Sequence, residues 1–574
     1  MAVENTTQTA GGRFGRPWLW ILLILAGAFL VFLFYRGLLD PDEGRYSEIP
    51  REMVSSGKWM EMRLFGVRYY EKPPLTYWIT ALPIQLLGPR DWAVRIPLLP
   101  VALALAFAGF LIARRGWGRT HALAATFIAT TVFGLFFAMS MPIPDSYLAV
   151  WFAATCFLLF NAFSPNAGSA RRWSCLLAAA FFVFLGTMTK GVIAVVLPAG
   201  ILFLWLLWER RLKSLWTLAL FAAAFLFLAL IVPATWQLEK HNPGFTQYFY
   251  VDEHLSRFIG NRRDQAHTEP PWFFLKTLPL LLVPWTLFLF RTIRTMAVKF
   301  VLSYDTVSRF LLVWVVVVIG FFSASSGKLM SYIMPALLPL GLLVGRWGVA
   351  EPLDGTRADR RLWLLGFFPL PVIALLLPVA WMLGWLGLLT GALAVPHLPS
   401  ILPLLPALIV AAILLLRRST TFTGAGMLVA TFYFGMAFLL SPLAGKDMNA
   451  MLHRNNGLTF KELAAQLKPE DQVVMMYHYR PSVAFYTQRI PVLYDLINEM
   501  RYGMEAEPGL FKYALNREEL TAQMARGTGR WLGVVEYEDM NDFSENGFDT
   551  NLPVTVSNCD LRIVNLSANQ RAAP

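Results

Sequence analysis

The chain reads as a series of apolar runs cut by short polar punctuation. The first, "WLWILLILAGAFLVFLF" at residues 18–34, is long enough to cross a bilayer core as a helix, which takes about 20 residues. Further runs fall near 92–112, 121–140, 146–163, 174–189, 191–207, 215–235, 272–290, 307–323, 331–348, 363–386, 401–416 and 422–441, giving thirteen. Between 363 and 416 the boundaries blur, because Pro369, Pro371, Pro378, Pro396 and Pro399 interrupt the pattern. In lipid a backbone must satisfy its own hydrogen bonds, so runs of this kind predict helices. The expected class is a polytopic α-helical membrane protein.

Composition agrees. Over 574 residues the chain is 56% hydrophobic and 15% charged, with mean hydropathy +0.51, too apolar for a soluble protein. The net charge of +12 does not point to nucleic acid, because the basic residues sit in short clusters between apolar runs. These are "ARRGWGR" (113–119), "ARRW" (170–173), "WERRLK" (208–213), "RTIRTMAVK" (291–299), "ADRRL" (358–362) and "LRRST" (416–420). Such clusters mark cytoplasmic loops. Arg13 and Arg16 put the N-terminus on that side, and an odd number of spans puts the C-terminus outside. The first run is long and the following "FLFYRGLLD" is bulky, so it reads as an uncleaved span rather than a signal peptide. Cys156, Cys175 and Cys559 have neither disulfide nor metal spacing.

Four segments then face out with unusual content. The first, 35–90, holds an amphipathic stretch at 44–57, with Ile49, Met53 and Val54 on one face. It also holds an apolar stretch at 74–88, too short to span and suited to the interface. The others are "MPIPDSY" (141–147), a long mixed-charge segment over 236–271 that reads as a mobile lid, and "SASSGKLMSY" (323–332). After residue 441 helical and strand patterns alternate, predicting a soluble α/β domain over 442–574 on the outer side. Neither a nucleotide-binding glycine loop nor an internal repeat is found.

The charged residues of the outer segments carry the functional question. Asp42, Glu43 and Arg45 follow the first span, and Glu71 and Lys72 lie later in the same loop. Asp145 precedes the fourth span, Lys190 joins the fifth and sixth, His254 and Arg257 sit in the long segment, and Lys328 and Tyr332 begin the tenth. Any one of them reads equally well as a solvated helix end. Together they put cations on the face where cations are disfavoured, and anionic ligands give a reason, since Arg and Lys clamp phosphates. Carboxylates among them suggest chemistry on a phosphorylated lipid.

The stretches "DPDEGRYSEIPREM", "EKPPLTYW", "MPIPDSY", "GTMTKG" and "SSGKLMSYIMPALLPL" resemble the bacterial 4-amino-4-deoxy-L-arabinose lipid A transferases. These are polyprenyl-phosphate-dependent glycosyltransferases of the GT-C fold, related to protein O-mannosyltransferases. The resemblance implies transfer of aminoarabinose from undecaprenyl phosphate to a lipid A phosphate, at the periplasmic face of the bacterial inner membrane. It also implies resistance to polymyxin and other cationic antimicrobial peptides. No nucleotide cofactor is implied.

That reaction assigns roles. Breaking the sugar–phosphate bond builds negative charge on the leaving phosphate, and stabilising it in a water-poor site is the largest available lever. Lys72, Arg257 and Tyr332 are the first candidates to hold it, with Arg45, Lys190 and Lys328 as further donors; Tyr332 reads equally as an interfacial tyrosine. Asp42 and Asp145 are the candidate catalytic carboxylates. Each can orient the acceptor, stabilise an oxocarbenium-like sugar or pair with its ammonium; Asp145 also reads as a helix cap and Glu43 as a cap partner. Some GT-C enzymes need a divalent metal (Zn, Mg or Mn), for which Glu71 and His254 are the candidate ligands, although two ligands from different loops are a weak signal. An O-mannosyltransferase-like enzyme with another acceptor is the alternative. A flippase or transporter is a third reading, disfavoured by the lack of repeats and by charges gathered at one face.

Overall fold

The computed structural model describes residues 16–256, 268–298, 305–350, 422–440, 456–495, 500–507, 513–514, 516–558 and 560–567. The spans expected at 363–386 and 401–416, Arg257, Cys559 and the 441/442 boundary lie outside them, as does the side chain of His254.

Apolar runs become helices where expected, and their ends explain the differences. Helix α1 (Arg16–Phe34) is followed by α2 (Asp42–Ser56) and α3 (Leu75–Leu87). Helix α4 (Leu98–Thr130) is one stretch by hydrogen bonding, yet Gly118 has φ 72° and ψ 174°. A straight helix would put Gly109 and Ala129 about 30 Å apart. Instead a Cβ on Gly109 would lie 2.9 Å from Leu338 Cδ1, and one on Gly341 would lie 2.5 Å from Ala129 Cα. Leu338 and Gly341 are one turn apart in the helix Met334–Leu343, so the chain must reverse at Gly118. The spans expected at 92–112 and 121–140 are therefore separate, with the reversal in the basic cluster. Their ends shift, because the first begins at Leu98 and the second stops at Thr130 before the short α5 (Phe133–Ala138).

Helices α6 (Pro144–Ala162), α7 (Ser169–Lys190), α8 (Ile193–Trp208) and α9 (Leu218–His241) match four expected spans. On α9, Leu218, Phe225 and Val232 recur at heptad spacing and are 75%, 74% and 60% exposed, a face for lipid. The single span expected at 272–290 is corrected. It is two helices, Phe273–Leu281 and Thr286–Val298, bent by 114° at a break that contains Pro284. Helices Thr306–Ala324 and Phe422–Leu440 complete the described bundle, the latter packed along α1. Six helices among the described residues are long and apolar enough to cross a membrane, and the bent pair makes a seventh candidate.

The basic loops gather on one face. Trp117 Nε1 donates to Asp305 at 3.2 Å, Arg309 pairs with Glu209 at 2.7 Å, and Arg211 donates to the Phe163 carbonyl at 2.8 Å. The motif loops meet at the other end of the same helices.

There the C-terminal residues form a six-stranded sheet in the order β5-β4-β3-β6-β8-β7. Strands β3 (Gln472–Met476), β4 (Val492–Tyr494), β5 (Tyr513–Ala514) and β6 (Trp531–Glu536) are parallel, while β7 (Val554–Ser557) and β8 (Leu561–Asn565) are antiparallel. The α/β pattern is as expected, with helix Gly457–Gln466 before β3 and Ser482–Thr487 between β3 and β4.

Candidate functional site at the exit of the first helix

The exit motif is built on a buried ion cluster. Glu43 takes two Arg36 nitrogens, one of them at 2.8 Å, and Arg95 Nε at 3.1 Å, and it accepts the Leu39 N–H at 2.9 Å. All three side chains are fully buried. Arg95 also donates to the carbonyls of Arg36 and Gly37 at 2.8 Å, and Arg36 to the Ser140 carbonyl at 2.9 Å. Glu43 is thus more than a cap partner: it ties the end of α1, the start of α2 and the loop before α6 together. Removing one member of such a cluster leaves a buried charge and costs roughly 3–5 kcal/mol.

Asp42, one residue earlier, points the other way. Its side chain is 49% exposed and pairs with Arg45, one turn on. Arg45 is itself buried and lies over the rings of Tyr46 (5.1 Å) and Tyr69 (5.9 Å). The Tyr69 hydroxyl donates to Glu71 at 2.9 Å; Lys72 donates to the Glu71 carbonyl at 2.9 Å and pairs with Glu253 at 3.5 Å. One continuous polar line therefore runs from Asp42 through Arg45, Tyr69 and Glu71 to Lys72. Glu253, which the sequence reading did not single out, closes it. Its signal was present in "VDEH", beside His254.

Local folding holds this line. The segment "RLFGVR" makes a hairpin of β1 (Arg63–Leu64) and β2 (Val67–Arg68), whose two turn residues, Phe65 (φ 56°) and Gly66 (φ 78°), both have positive φ, as a tight primed turn requires. Glu52 accepts both turn N–H groups, at 2.5 Å and 3.0 Å, which stabilises Phe65 in a backbone region unfavourable for its type. Burial, with Glu48 beside it, pushes the Glu52 carboxyl up to about 8. Pro73 and Pro74 then lead into α3, with Pro74 at its N-cap, leaving Lys72 at the corner.

A second pair lies at the mouths of α6 and α7. Asp145, in the first turn of α6, is ion-paired with Lys190, the last residue of α7, and both are buried. The Lys190 ammonium also lies 4.6 Å from the centre of the Tyr332 ring. Three residues from separate segments are thus brought into one group. Lys328 stands apart from it: its ammonium donates to the carbonyls of Glu269 (2.6 Å), Ser325 and Ser326, so it braces its own loop.

Two of the loops are ordered by packing. The 44–57 stretch lies in helix α2 with Ile49 and Met53 buried, the face the sequence predicts. Ten of its residues, Gly44 to Met53, are buried, packed against α3, the Arg63–Arg68 hairpin and the C-terminal helix Ser482–Thr487; a Cβ on Gly44 would meet Ser482 N at 2.5 Å. At the start of the segment expected as a lid, α9 runs on to His241, Asn242 donates to the Met60 carbonyl at 2.7 Å, and residues 247–256 are helical.

Comparison with known proteins follows this geometry. A family model of dolichyl-phosphate-mannose-protein mannosyltransferases matches residues 19–249. A protein of Pseudomonas fluorescens named undecaprenyl phosphate-alpha-4-amino-4-deoxy-L-arabinose arabinosyl transferase 1 is 34% identical over 339 residues, 57% of this chain and 58% of that one. A protein of Pseudomonas aeruginosa named as the same transferase is 33% identical over 331 residues, again 57% and 58%. The chain spans about six-tenths of the length of the curated relatives it matches. A crystal structure of ArnT from Cupriavidus metallidurans bound to undecaprenyl phosphate superposes with a TM-score of 0.74 at 21% identity, over 97% of this chain and 99% of that one. The resemblance read from the motifs stands: the chain is similar to these named transferases over 57% of its length. Its fold is the multi-pass membrane fold of ArnT, of the GT-C type.

Proposed function

We propose that the chain is a glycosyltransferase that moves 4-amino-4-deoxy-L-arabinose from undecaprenyl phosphate to lipid A phosphate groups, at the periplasmic face of the inner membrane. The names of its relatives support the donor and the reaction. The observation that supports the reading is two charged groups in the motif loops, Asp42 to Lys72 at the exit of α1 and Asp145–Lys190–Tyr332 at the mouths of α6 and α7, where a membrane-anchored donor would meet water.

In this reading Lys72, Lys190 and Arg45 receive the donor phosphate, with Tyr332 as a hydroxyl donor; Arg257 is proposed on sequence alone. Each cation already faces a carboxylate, so donor phosphate exchanges one anionic partner for another. That exchange lowers the cost of desolvating the lysines. As the glycosidic bond breaks, charge grows on the leaving phosphate, and these fixed cations stabilise it more than they stabilise the ground state. The acceptor phosphate, with a second pKa of about 6, is already nucleophilic near neutral pH, so Asp42 is not required as a strong base. Exposed beside Arg45, it is placed to orient the acceptor or to face the sugar's developing positive charge. Asp145 is the proposed partner of the sugar ammonium.

A divalent metal at Glu71 and His254 stays a proposal. Glu71 already accepts the Tyr69 hydroxyl and stands 3.8 Å from Lys72, an arrangement of a partnered carboxylate rather than a ligand set. No step above runs through a metal.

The test is transfer by the purified protein. Supplied with undecaprenyl-phosphate aminoarabinose and lipid A, it should add one aminoarabinose mass, read by mass spectrometry. The mannosyltransferase match over 19–249 keeps a second acceptor class in view. Transfer to a hydroxyl-bearing peptide, with lipid A untouched, would overturn the lipid A reading and keep the fold-level one.

A further inference from the structure

We infer that the C-terminal domain carries a divalent-cation site of its own, formed by His478, Glu536 and Glu538 at the C-terminal edge of the parallel strands. One ligand atom from each lies within 4.8 Å of the others, and this is the one such group of three among the described residues. Topology makes the meeting possible. Strands β3 and β6 are parallel neighbours, so the residues that follow them emerge at the same edge. His478 comes two residues after β3, Glu536 ends β6, and Glu538 lies in the turn beyond. Crevices at this edge are where open α/β sheets bind ligands.

The histidine is oriented as a ligand. Its Nδ1 is 2.6 Å from Oδ2 of Asp539, a buried carboxylate. A proton shared there fixes the tautomer and turns the Nε2 lone pair outward, the arrangement of carboxylate-backed metal histidines. Nε2 then faces Glu538 Oε1 at 3.3 Å. A lone pair facing a carboxylate oxygen is repulsive unless a positive charge sits between them. That separation is about the edge of a tetrahedron of ligands around an ion bound at about 2.1 Å.

Glu536 gives the independent sign. It is 2% exposed; its Oε1 accepts Arg480, and its Oε2 is buried without a hydrogen-bond partner. A buried carboxylate oxygen left unpaired is costly, and a cation satisfies it. Glu538 is 57% exposed and His478 36%, so an ion has a path from solvent. One imidazole and two carboxylates suit a borderline divalent ion such as Zn²⁺ or Mn²⁺, with water completing the shell. The site is distinct from the transfer centre, yet Glu536 reaches towards it. Arg480, held by Glu536, also pairs with Asp560 at 3.2 Å, and its charge acts on Asp40 in the exit motif.

The experiment uses the purified full-length protein in detergent, stripped with chelator and dialysed against micromolar Zn²⁺, with Co²⁺ as a spectroscopic probe. Bound metal is counted by mass spectrometry. The expected result is one ion per chain that Glu538→Gln weakens by at least about tenfold. Glu538 is exposed, so this change leaves folding intact. Asp539→Asn, which disturbs only the orientation of the histidine, should weaken binding by roughly 10–100-fold. Repeating the measurement in a Glu71→Gln background, which removes any ion held at the transfer centre, should leave the ion that Glu538→Gln weakens, and this separates the two sites. Co²⁺ should show the visible absorption of a low-coordinate nitrogen–oxygen site, lost in His478→Ala. No bound ion in the wild type, or an unchanged count in Glu538→Gln, would overturn the proposal and leave His478 a doubly paired imidazolium.

Discussion

Adjacent residues of the exit motif divide their labour. Glu43 is sealed with two arginines, whereas Asp42 stays half in water, so the same substitution should have opposite signatures at the two positions. Glu43→Gln leaves Arg36 and Arg95 buried without their counter-charge, and should lower stability by roughly 3–5 kcal/mol, seen as poor yield and an early thermal transition. Asp42→Asn should fold normally. Its turnover is expected to drop far more than its affinity for undecaprenyl phosphate, the mark of a group whose effect grows in the transition state. Normal turnover would return Asp42 to a helix-end role. Lys72→Ala should instead weaken donor binding by about ten- to a hundredfold, the worth of a charge-assisted contact of roughly 1.5–3 kcal/mol. Equilibrium binding of a labelled polyprenyl phosphate checks this, and unaltered affinity would remove Lys72 from the site.

At the scale of elements, close helix approach depends on small residues. A Cβ on Gly341 or Gly345 would come within 2.5 Å of the Cα of Ala129 or Ala125, so backbone meets backbone there. Gly341→Val must push the two helices apart and should cost 1–3 kcal/mol or more, the range of overpacked cores. Gly27→Ala, on α1 with nothing within 4 Å, is the neutral control. Thermal unfolding in detergent compares them, and equal midpoints would mean the helix pair is not closely packed.

For the whole molecule, the C-terminal domain is clamped onto the membrane part at the site. Asp40 accepts the Ser482 N–H at 2.9 Å and its hydroxyl; Leu38 N–H donates to Tyr486, whose hydroxyl donates to Asp91 at 3.1 Å; Lys461 pairs with Asp91 at 2.6 Å; and Glu507 pairs with Arg63 and Arg68. Burial raises the Asp40 carboxyl from 3.8 to about 6. A raised carboxyl pKa binds its proton more tightly in the folded state. Its stabilisation is therefore full below pH 4 and lost as pH rises through 6, on the order of 3 kcal/mol. Glu52, raised to about 8, adds loss in the same direction up to that pH. The melting midpoint should fall from pH 5 to pH 8, and Asp40→Asn should flatten the lower part of that slope. A midpoint that rises over this range would contradict the assignment. Sidedness is tested with a cysteine at exposed Ser544 in a Cys-free background. An impermeant reagent should label it in intact spheroplasts, and labelling only after lysis would put the domain, and the site beneath it, on the cytoplasmic side.

The sequence by itself determined the membrane class, the positions of most helices and the side on which basic loops gather. These follow from local properties: the length of an apolar run, and the cost of a charge in lipid. It also put the candidate residues in loops that the structure gathers at one end of the bundle, and the alternation after residue 441 predicted the α/β domain. Only the tertiary structure decided which charges meet. Arg95 lies 52 residues beyond Glu43, and nothing local distinguishes Glu43, sealed in an ion cluster, from Asp42, open to water. Partners such as Glu253 for Lys72 and Ser482 for Asp40 are set by packing across more than 180 residues, through the reversal at Gly118 and the docking of the sheet. Pairing over such distances depends on how helices stack, and no periodicity along the chain records it.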